Sequence, residues 1–592
     1  MGSCYASATP AAASGPRTGP RSSSPASAPS RGAGAWDWRW SSASSRSTTA
    51  AGSASNIRAI RAPRSRSRCR GRIEPVGYRV LWIDDNIDEL KSHILFLGQK
   101  GYEVEGVTNG RDGLAMLGEK NYDAVLLDEM MPGMGGLETL EEIRKQHEHV
   151  PVIMITKSEA EDLMTKAIGR RIDDYLVKPV SPLQIQAALK KHVEARKITE
   201  QQVTHDYLSH FQAVGDRVAT AASPDDWESI YNDLTIWGMD LYRYSDHGLL
   251  ATQDEQMSAA NLSLGKYVRD RYEDWVNGSD DAPVLSPDLY RAWVEPLVQA
   301  RDQVLWIVVD CMRLDQWRMV EPLLEPFFHV SRRQYWSILP SATPYARNAI
   351  FAGLYPSEIV KGYPALWHDG IGDDSSRNAN EDKLLAAQLE RLKSPAQGRM
   401  RYYKVSDVRD TDPLRRDFRS LNDVKLIAAV YNFLDIMAHG RSQNSILKEL
   451  APDEAAFRTV MRTWFEHSSL FELIRDAGRA GTTVVVTTDH GSIFCKRATK
   501  IRGNRAASTN VRYKFGDNLT VDEKRVMLIK DPARFRLPPN SPIETYAITT
   551  ENYYLVYPTN YHEYERLYRD SFQHGGISLE EMICPFAVLE PR

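Results

Sequence analysis

The strongest constraint on the fold is a regular alternation of short apolar segments with amphipathic stretches that begins at Tyr78. The segments have the length and composition of β-strands, and apolar residues at helical spacing lie between and after them. We predict strands at 79–83, 103–107, 124–127, 152–155 and 174–177, with helices at 87–100, 136–147 and 182–195. Such alternation favours a doubly wound, five-stranded parallel sheet with helices on both faces. We therefore expect an α/β domain at 76–196.

Two further regions follow. Residues 197–300 carry no clear strand pattern, and Pro224 and Pro283 mark breaks between helical stretches, so this region predicts a helical bundle that links two domains. Its helices are expected around 207–218, 227–242 and 290–304. Strands and helices then alternate again, which predicts a second, larger α/β domain at 301–592. Its clearest strands are expected at 304–309, 425–433, 482–487 and 526–529.

The first 75 residues differ from the rest. They contain 12 Arg, no Lys and two acids, Asp37 and Glu74, and they are rich in Ser, Ala, Pro and Gly. This composition predicts a disordered, basic, low-complexity extension. A gene-model artefact with the true start near Val76, an organelle transit peptide and a basic arm for nucleic acid are the other interpretations. The stretch has no apolar core of the kind found in a secretory signal.

Composition excludes several classes of protein. Hydrophobic residues make up 42% and charged residues 26%, which is typical of globular proteins. No apolar run reaches the roughly 18 residues of a transmembrane helix, so no direct membrane insertion is expected. The five cysteines are scattered and form no zinc pair, which favours a reducing cytoplasm. With a net charge of −4 overall and +10 in the extension, the remaining chain is acidic, which does not favour duplex binding.

Polar side chains follow the predicted strands of the first domain. Asp84 and Asp85 follow the first strand, Asp128 the third, Thr156 ends the fourth, and Lys178 follows the fifth. Carboxyl ends of parallel strands share one sheet edge, so these groups are expected to converge there. Three carboxylates with room for water suit Mg²⁺. Asp128 is then a nucleophile that accepts a phosphoryl group, whose oxygens Lys178 neutralises and Thr156 binds.

This segment resembles the receiver domain of bacterial response regulators over about 78–195. The resemblance includes the sequence MMPG at 130–133, after the acceptor, and Tyr175 before Lys178. It implies that Asp84 and Asp85, together with the acceptor carboxylate, bind Mg²⁺. It also implies that Asp128 is phosphorylated by a sensor histidine kinase.

The resemblance further implies a switch. Thr156 and Tyr175 correspond to the switch pair of the family, with Lys178 beside them. Phosphorylation adds charge and acceptor oxygens, and so biases a surface that has two states. In this family that surface lies beside the last two strands and helices and usually forms a dimer. We therefore expect a homodimer on phosphorylation.

The larger domain carries a second set of candidate ligands. Six histidine and aspartate residues follow predicted strands or flank glycines: Asp310, Asp435, His439, Asp489, His490 and His574. Asp435 and His439 are four residues apart, which places both on one side of a helical turn. Mixed imidazole and carboxylate ligands favour Zn²⁺, with Mn²⁺ second. Six ligands suffice for two ions with open positions, an arrangement suited to in-line displacement at phosphorus.

The sequence SATP at 341–344 offers a nucleophile for such a site. It precedes a helical stretch at 345–352, and the free N–H groups of a helix N-terminus favour a phosphate. Thr343 is better placed than Ser341 because it adjoins the start of the helix. The alternative interpretation of Thr343 is a helix N-cap.

The order of these residues resembles that of the alkaline phosphatase superfamily. Over about 300–592 the chain resembles the PglZ branch of that superfamily, in the segments VVDCMRLDQW, ILPSATPYARNAIFAGLYP and HGGISLEEMICPF. The resemblance implies one ion at Asp310, Asp489, His490 and the Thr343 oxygen. It implies a second ion at Asp435, His439 and His574, and a phosphothreonine intermediate.

Further carboxylate ligands of the kind that give classic monoesterases a third metal are not visible, which favours phosphodiesters as substrates. Arg512 and Lys514, in STNVRYKFGDN, are candidates for contacts with substrate phosphates. A solvated loop is the alternative for these two residues.

The full arrangement over about 78–592 resembles the PorX-like family of two-component response regulators. That resemblance implies a cytoplasmic regulator of type IX secretion that hydrolyses oligonucleotide or cyclic oligonucleotide substrates. It also implies a sigma factor and the cytoplasmic domain of a secretion-motor protein as partners. The alternative is a non-catalytic, protein-binding regulator with a structural metal site. Intact Thr343 and a complete ligand set favour the enzyme, because a structural zinc site needs no nucleophile.

Overall fold

A computed structural model describes most of the chain after the N-terminal extension. The described residues are 77–147, 150–157, 172–244, 247–368, 378–405, 411–443, 445–503, 510–539, 541–559 and 561–592. The predicted disordered extension at 1–75 lies outside them. Among the described helices, none combines the length and the apolar character needed to cross a bilayer.

The first domain is the predicted five-stranded sheet. Its strands are β1 (Tyr78–Ile83), β2 (Tyr102–Val107), β3 (Ala124–Asp128), β4 (Val152–Thr156) and β5 (Asp174–Val177). They are all parallel, in the order β2-β1-β3-β4-β5. A 3₁₀ turn at Ile87–Leu90 precedes the helices α1 (Lys91–Gln99), α2 (Gly110–Glu119), α3 (Gly136–Gln146) and α4 (Pro182–Leu189). Apolar clusters cover both faces of the sheet, as a parallel sheet requires.

Three long helices follow, of which the first two include the predicted stretches 207–218 and 227–242, whereas the third was not predicted. They are α5 (Ala195–Thr220), α6 (Pro224–Tyr244) and α7 (His247–Val276), and each packs against the other two. A π-helical segment, Lys190–Glu194, joins α4 to α5 without a break. Shorter helical segments lead to the next domain: Ser286–Asp288, Tyr290–Val294 and α8 (Glu295–Ala300).

The larger domain is built on a six-stranded sheet. Its strands are β6 (Val304–Val309), β7 (Phe328–Trp336), β8 (Met400–Val405), β9 (Leu426–Tyr431), β10 (Thr483–Thr487) and β19 (Ile583–Pro591). The order is β7-β19-β10-β6-β9-β8, in which β10, β6, β9 and β8 pair in parallel and β19 pairs antiparallel with both β10 and β7. Every residue of β6, β9 and β10 is buried, because apolar clusters lie on both faces of the sheet.

Helices surround this sheet. They are α9 (Leu314–Leu324), α10 (Thr343–Ala352), α11 (Pro356–Gly362), α12 (Glu381–Leu392), α13 (Thr411–Asp417), α14 (Phe433–Gln443), α15 (Ser445–Leu450), α16 (Glu454–Glu466), α17 (Ser469–Arg479), α18 (Tyr561–Tyr568) and α19 (Leu579–Met582). Short 3₁₀ turns lie at Pro364–Leu366, Phe418–Ser420 and Pro532–Phe535.

Smaller sheets stand beside the central one. Their strands are β11 (Ile493–Cys495), β12 (Arg497–Arg502), β13 (Tyr513–Asp517), β14 (Thr520–Val521), β15 (Val526–Ile529), β16 (Glu544–Thr549), β17 (Tyr553–Val556) and β18 (Ser571–Gln573). They pair as β11-β18, β14-β12-β17 and β13-β16-β15.

Three central strands of the large sheet end at one edge. Strands β10, β6 and β9 are neighbours and run in the same direction, so their carboxyl ends lie side by side. The residues that follow these ends therefore converge, as expected for the ligand-binding edge of an open α/β sheet.

The linker helices share a hydrophobic core with the large domain. Trp227 and Trp275 are almost fully buried in one apolar cluster with Trp336, and the rings of Trp275 and Trp336 meet edge to face at 5.3 Å between centroids. The indole N–H of Trp336 also donates to the Glu228 carboxylate of α6 at 3.0 Å. The linker and the large domain are therefore packed as one cooperative body.

This shared core predicts a large cost for truncating Trp275. Trp275→Ala should lower the free energy of unfolding of the linker and large domain together by about 3–5 kcal/mol, because the cavity lies in a packed interior. Urea unfolding followed by circular dichroism measures the change. Leu262→Ala on the same helix, where the side chain is 44% exposed, should cost less than about 0.5 kcal/mol. Equal costs for the two variants would contradict the shared core.

Candidate functional site

The predicted carboxylates of the first domain converge. Asp84, Asp85 and Asp128 each offer an oxygen, and these oxygens all lie within 4.8 Å of one another. Asp84 and Asp128 are buried at the carboxyl edge of the sheet. The three oxygens form a group able to hold one divalent cation, and oxygen-only ligands are those that Mg²⁺ prefers.

Lys178 completes this pocket. Its Nζ lies 3.1 Å from Oδ2 of Asp84 and 3.0 Å from Oδ2 of Asp128. Burial raises the pKa of Asp128, and the neighbouring Asp84 charge adds to that effect, while Lys178 opposes it. Burial opposes the charged form of Lys178, yet the two carboxylates raise its pKa overall. The ammonium group is therefore charged and placed where a phosphoryl group on Asp128 would meet it.

Thr156 and Tyr175 lie at the ends of neighbouring strands, β4 and β5. The Thr156 hydroxyl donates to the carboxylate of Glu129, the residue after Asp128. Tyr175 is 36% exposed. Thr156 is therefore at the carboxyl end of β4, turned towards Glu129 in this conformation, whereas Tyr175 is the second residue of β5 and pairs with Met154 of β4. Sequence reasoning did not identify Glu129 as the partner of Thr156, because the sequence does not indicate which group a carboxylate will contact.

The first ligand group of the larger domain surrounds Thr343. Asp310, Asp489 and His490 follow β6 and β10, and their ligand atoms lie within 4.8 Å of one another. The Thr343 hydroxyl lies 2.9 Å from Nε2 of His490 and 3.4 Å from Oδ1 of Asp310. All four side chains are buried. The threonine oxygen therefore faces the same point as the three ligands.

The second ligand group lies beside the first. Oδ1 of Asp435 is 3.3 Å from Nε2 of both His439 and His574, and the two Nε2 atoms are 2.9 Å apart. The rings of His574 and His490 stack with centroids 4.3 Å apart, which joins the two groups. Asp435 and His439 occupy one side of α14, as the four-residue spacing predicts. The six predicted ligands thus form two adjacent groups of three.

Divalent cations fit both groups. Nδ1 of His490 lies 3.0 Å from the carbonyl oxygen of Gly491. When Nδ1 donates to that oxygen, Nε2 carries the lone pair of the ring and faces Thr343. Oδ2 of Asp489 is buried and accepts no hydrogen bond from the described part of the chain. Burial and the Asp489 charge raise the pKa of Asp310 to about 7. Burial and the proximity of His574 lower the pKa of His490 to about 4. The buried carboxylates repel one another, and a cation bound by the carboxylates and imidazoles would offset that repulsion.

Thr343 is the first residue of α10, and the N-cap position belongs to Ala342. The alternative interpretation of Thr343 as an N-cap is therefore wrong, and its hydroxyl is free to face the ligand groups. Ser341 does other work, since its hydroxyl donates to the Gly576 carbonyl at 2.6 Å. This bond ties the loop before α10 to the turn that carries His574.

Sequence reasoning missed Arg347. It lies one helical turn after Thr343, is buried, and donates from Nη1 to Oδ2 of Asp310 at 2.6 Å. Its Nε donates to Glu381 at 2.5 Å, and Nη1 lies 3.8 Å from Oδ2 of Asp489. Arg347 therefore turns the other oxygen of Asp310 towards Thr343. The i, i+4 spacing from Thr343 was the available signal.

Arg512 was expected to be a candidate for contact with substrate phosphates, but the structure places it in the interior. It is fully buried and forms a two-pronged ion pair with Glu581, at 2.9 and 2.5 Å. Glu581 also accepts from the N–H of Gly576, and the Arg512 guanidinium lies 2.3 Å from where a Cβ on Gly576 would stand. Arg512 thus supports the glycine turn after His574. Its neighbour in the motif, Lys514, is buried, and burial lowers its pKa to about 8.

Three families of known proteins match the chain in succession. The family described as response regulator receiver domain matches residues 80–190. The family described as PorX response regulator linker domain matches 197–276. The family described as BREX system PglZ alkaline phosphatase-like domain matches 289–589, which is half of the chain. The three matches follow the order of the two sheets and the helical linker.

Individual relatives match the first domain. The chain is 36% identical over 120 residues to the transcriptional regulatory protein QseB of Haemophilus influenzae, covering 20% of this chain and 53% of that protein. It is 33% identical over 121 residues to YclJ of Bacillus subtilis, an uncharacterized transcriptional regulatory protein, with the same coverage. The chain thus spans about half the length of these relatives. Among solved structures, chemotaxis protein CheY4 of Vibrio cholerae matches at 28% identity and a TM-score of 0.19, over 20% of this chain and 98% of that one.

The position of Arg347 predicts a large stability effect in the metal-free protein. Arg347→Met leaves the buried carboxylates of Asp310 and Glu381 without their counter-charge, so the free energy of unfolding should fall by about 3–5 kcal/mol. Arg271→Met is the control, since its ion pair with Asp281 is half-exposed on both sides and should be worth less than about 1 kcal/mol. Denaturant unfolding of both variants measures the difference. A cost for Arg347→Met no larger than that of the control would mean that Arg347 does not stabilise the site.

Proposed function

Because the chain belongs to the PglZ family of alkaline phosphatase-like domains, we propose that it is a two-component response regulator whose output is the hydrolysis of phosphodiester bonds. The observation that carries this proposal is the Thr343 hydroxyl, 2.9 Å from Nε2 of His490 and beside two ligand groups of aspartate and histidine. A nucleophile aimed at a pair of cation sites is suited to in-line displacement at phosphorus.

In the proposed reaction, Oγ1 of Thr343 attacks the phosphorus in line with the leaving oxygen. The bond between phosphorus and the leaving alcohol breaks, the hydroxyl proton passes to solvent, and the alcohol takes up a proton. A phosphothreonine remains. Water then attacks the same phosphorus, the bond to Oγ1 breaks, and the hydroxyl is restored.

The residues divide the remaining work. Asp310, Asp489 and His490 would hold one divalent cation and Asp435, His439 and His574 the other, with Zn²⁺ as the proposed ion. Such cations lower the pKa of a bound hydroxyl and offset the charge that develops on phosphoryl oxygens. Arg347 fixes the orientation of Asp310, and the bond from Ser341 to the turn at Gly576 fixes the loop of His574.

Phosphodiesters are the proposed substrate class, in the form of oligonucleotides or cyclic oligonucleotides. Glu381, which lies close to Asp310, is occupied by the Arg347 guanidinium. Within the described ranges the three-ligand groups are the two here and the one in the receiver domain. The guanidinium group of Arg347 therefore lies beside Asp310 in place of further metal ligands, which supports diesters over monoesters as substrates.

The receiver domain points to a sensor histidine kinase as the source of the phosphoryl group. We propose Asp128 as the acceptor, Mg²⁺ at Asp84, Asp85 and Asp128, and Thr156, Tyr175 and Lys178 as the switch. Dimerisation on phosphorylation, a cytoplasmic location and control of type IX secretion through a sigma factor and a secretion-motor protein complete the proposal.

Removing the Thr343 hydroxyl tests the enzymatic half. Thr343→Ala should lower the hydrolysis of a chromogenic phosphodiester by metal-loaded protein by at least about 10³-fold, because the covalent route is lost. Thr343→Ser keeps a hydroxyl in the same place and should retain activity well above that of the alanine variant. Metal content measured on each variant controls for loss of the ions. Unchanged activity in Thr343→Ala would favour the non-catalytic regulator.

A phosphoryl mimic tests the regulatory half. Beryllofluoride should double the mass of the wild-type protein in light scattering. It binds the Asp128 carboxylate as a mimic of the phosphoryl group and so favours the dimerising state of the surface. Asp128→Ala should keep the monomer mass under the same conditions. An equal mass for both proteins with beryllofluoride would contradict control by Asp128.

A further inference from the structure

A pocket of about 230 Å³ lies where the linker meets the PglZ domain. Three helices line it: α6 of the linker, and α9 and α16 of the PglZ domain. None of the residues of the two cation sites lines it, so the pocket is separate from the proposed catalytic centre.

The lining of the pocket is cationic. Four arginines, Arg243, Arg318, Arg458 and Arg462, face two carboxylates. These are Asp240 and Glu466. Two positive charges are therefore in excess. Arg458 and Arg462 are four residues apart on α16, so their guanidinium groups lie along one side of the helix.

Two of these guanidinium groups lack partners for buried N–H groups. Nε of Arg318 and Nε of Arg462 are buried and donate to no described residue. Arg318 keeps one bond, from Nη2 to Asn232, and burial together with the nearby Arg332 lowers its pKa. Arg462 has no ion pair or hydrogen bond in the described ranges. Buried donors of this kind are normally satisfied, so these two N–H groups are available to an acceptor that enters the pocket.

We infer that this pocket binds a phosphate-bearing anion through Arg318 and Arg462. Guanidinium groups donate to phosphate oxygens in pairs and at fixed angles, which suits two arginines from different helices. Arg458 is already committed, because its Nη1 lies 3.0 Å from Oδ2 of Asp315. Met319 and Pro322 give the pocket an apolar wall, which leaves room for an organic group such as a nucleoside.

The bound anion would lie against linker helix α6, which lines the pocket with Asp240 and Arg243. Arg458 pairs with Asp315, which also pairs with Arg313, three residues after the cation ligand Asp310. An anion held by Arg318 and Arg462 therefore lies next to the Arg458–Asp315 pair, between linker helix α6 and helix α9. This inference does not depend on the catalytic proposal.

Equilibrium dialysis of the full chain against AMP, and separately against inorganic phosphate, tests the inference. The wild-type protein should bind one anion more than the double variant Arg318→Gln/Arg462→Gln. Loss of two charge-assisted contacts should weaken that anion by at least about tenfold. Tighter binding of AMP than of phosphate assigns a nucleotide, and equal binding assigns the inorganic ion.

Two further variants keep the test decisive. Arg462→Gln alone should also weaken the anion, and it removes no described internal bond, so it should leave the fold intact. Arg479→Gln, an exposed arginine of α17 outside the pocket, should bind as the wild type does. Equal binding by the wild type and Arg462→Gln, or loss of all anion binding when metal is chelated, would overturn the inference.

Discussion

The structure depends on how buried carboxylates at a sheet edge are compensated. Asp310 and Asp489 follow neighbouring strands into a closed interior, where burial raises the pKa of each. Arg347 supplies one positive charge, held between Asp310 and Glu381. A second positive charge is still needed, and the imidazoles of His490 and His574 stand where a pair of cations would supply it. The receiver pocket solves the same problem with Lys178 between Asp84 and Asp128.

A continuous helical path leads from the receiver domain into the linker. The last receiver helix, α4, runs through the π-helical segment Lys190–Glu194 into α5 without interruption. Glu194 accepts a hydrogen bond from Tyr102 of β2 at 2.9 Å, which ties this junction to the receiver sheet. Beyond α5, the linker shares its tryptophan core with the PglZ domain. The last receiver helix therefore continues into a linker that packs on the PglZ domain, and π-helical segments often mark functional positions.

The strands of the large sheet and the ligands that follow them could be predicted, because they depend on the local pattern of apolar and polar residues. The strands at 304–309 and 482–487 are unbroken apolar runs, and the ligands follow them directly, so their convergence was expected from the topology of parallel sheets. Arg347 was missed and the buried ion pair of Arg512 was not expected, because an arginine in sequence has the same appearance whether it is solvated or paired in the interior. Only the folded chain brings Glu381 to the first and Glu581 to the second. Partners distant in sequence, with no shared spacing, leave no pattern to read.

Anomalous X-ray diffraction from crystals of the metal-loaded protein, recorded at the zinc edge, tests the central claim most directly. We expect two peaks in each chain, one among Asp310, Asp489 and His490 and the other among Asp435, His439 and His574, with the Thr343 oxygen at the first. A single peak, or none at these residues in fully loaded protein, would contradict the account of a paired cation site.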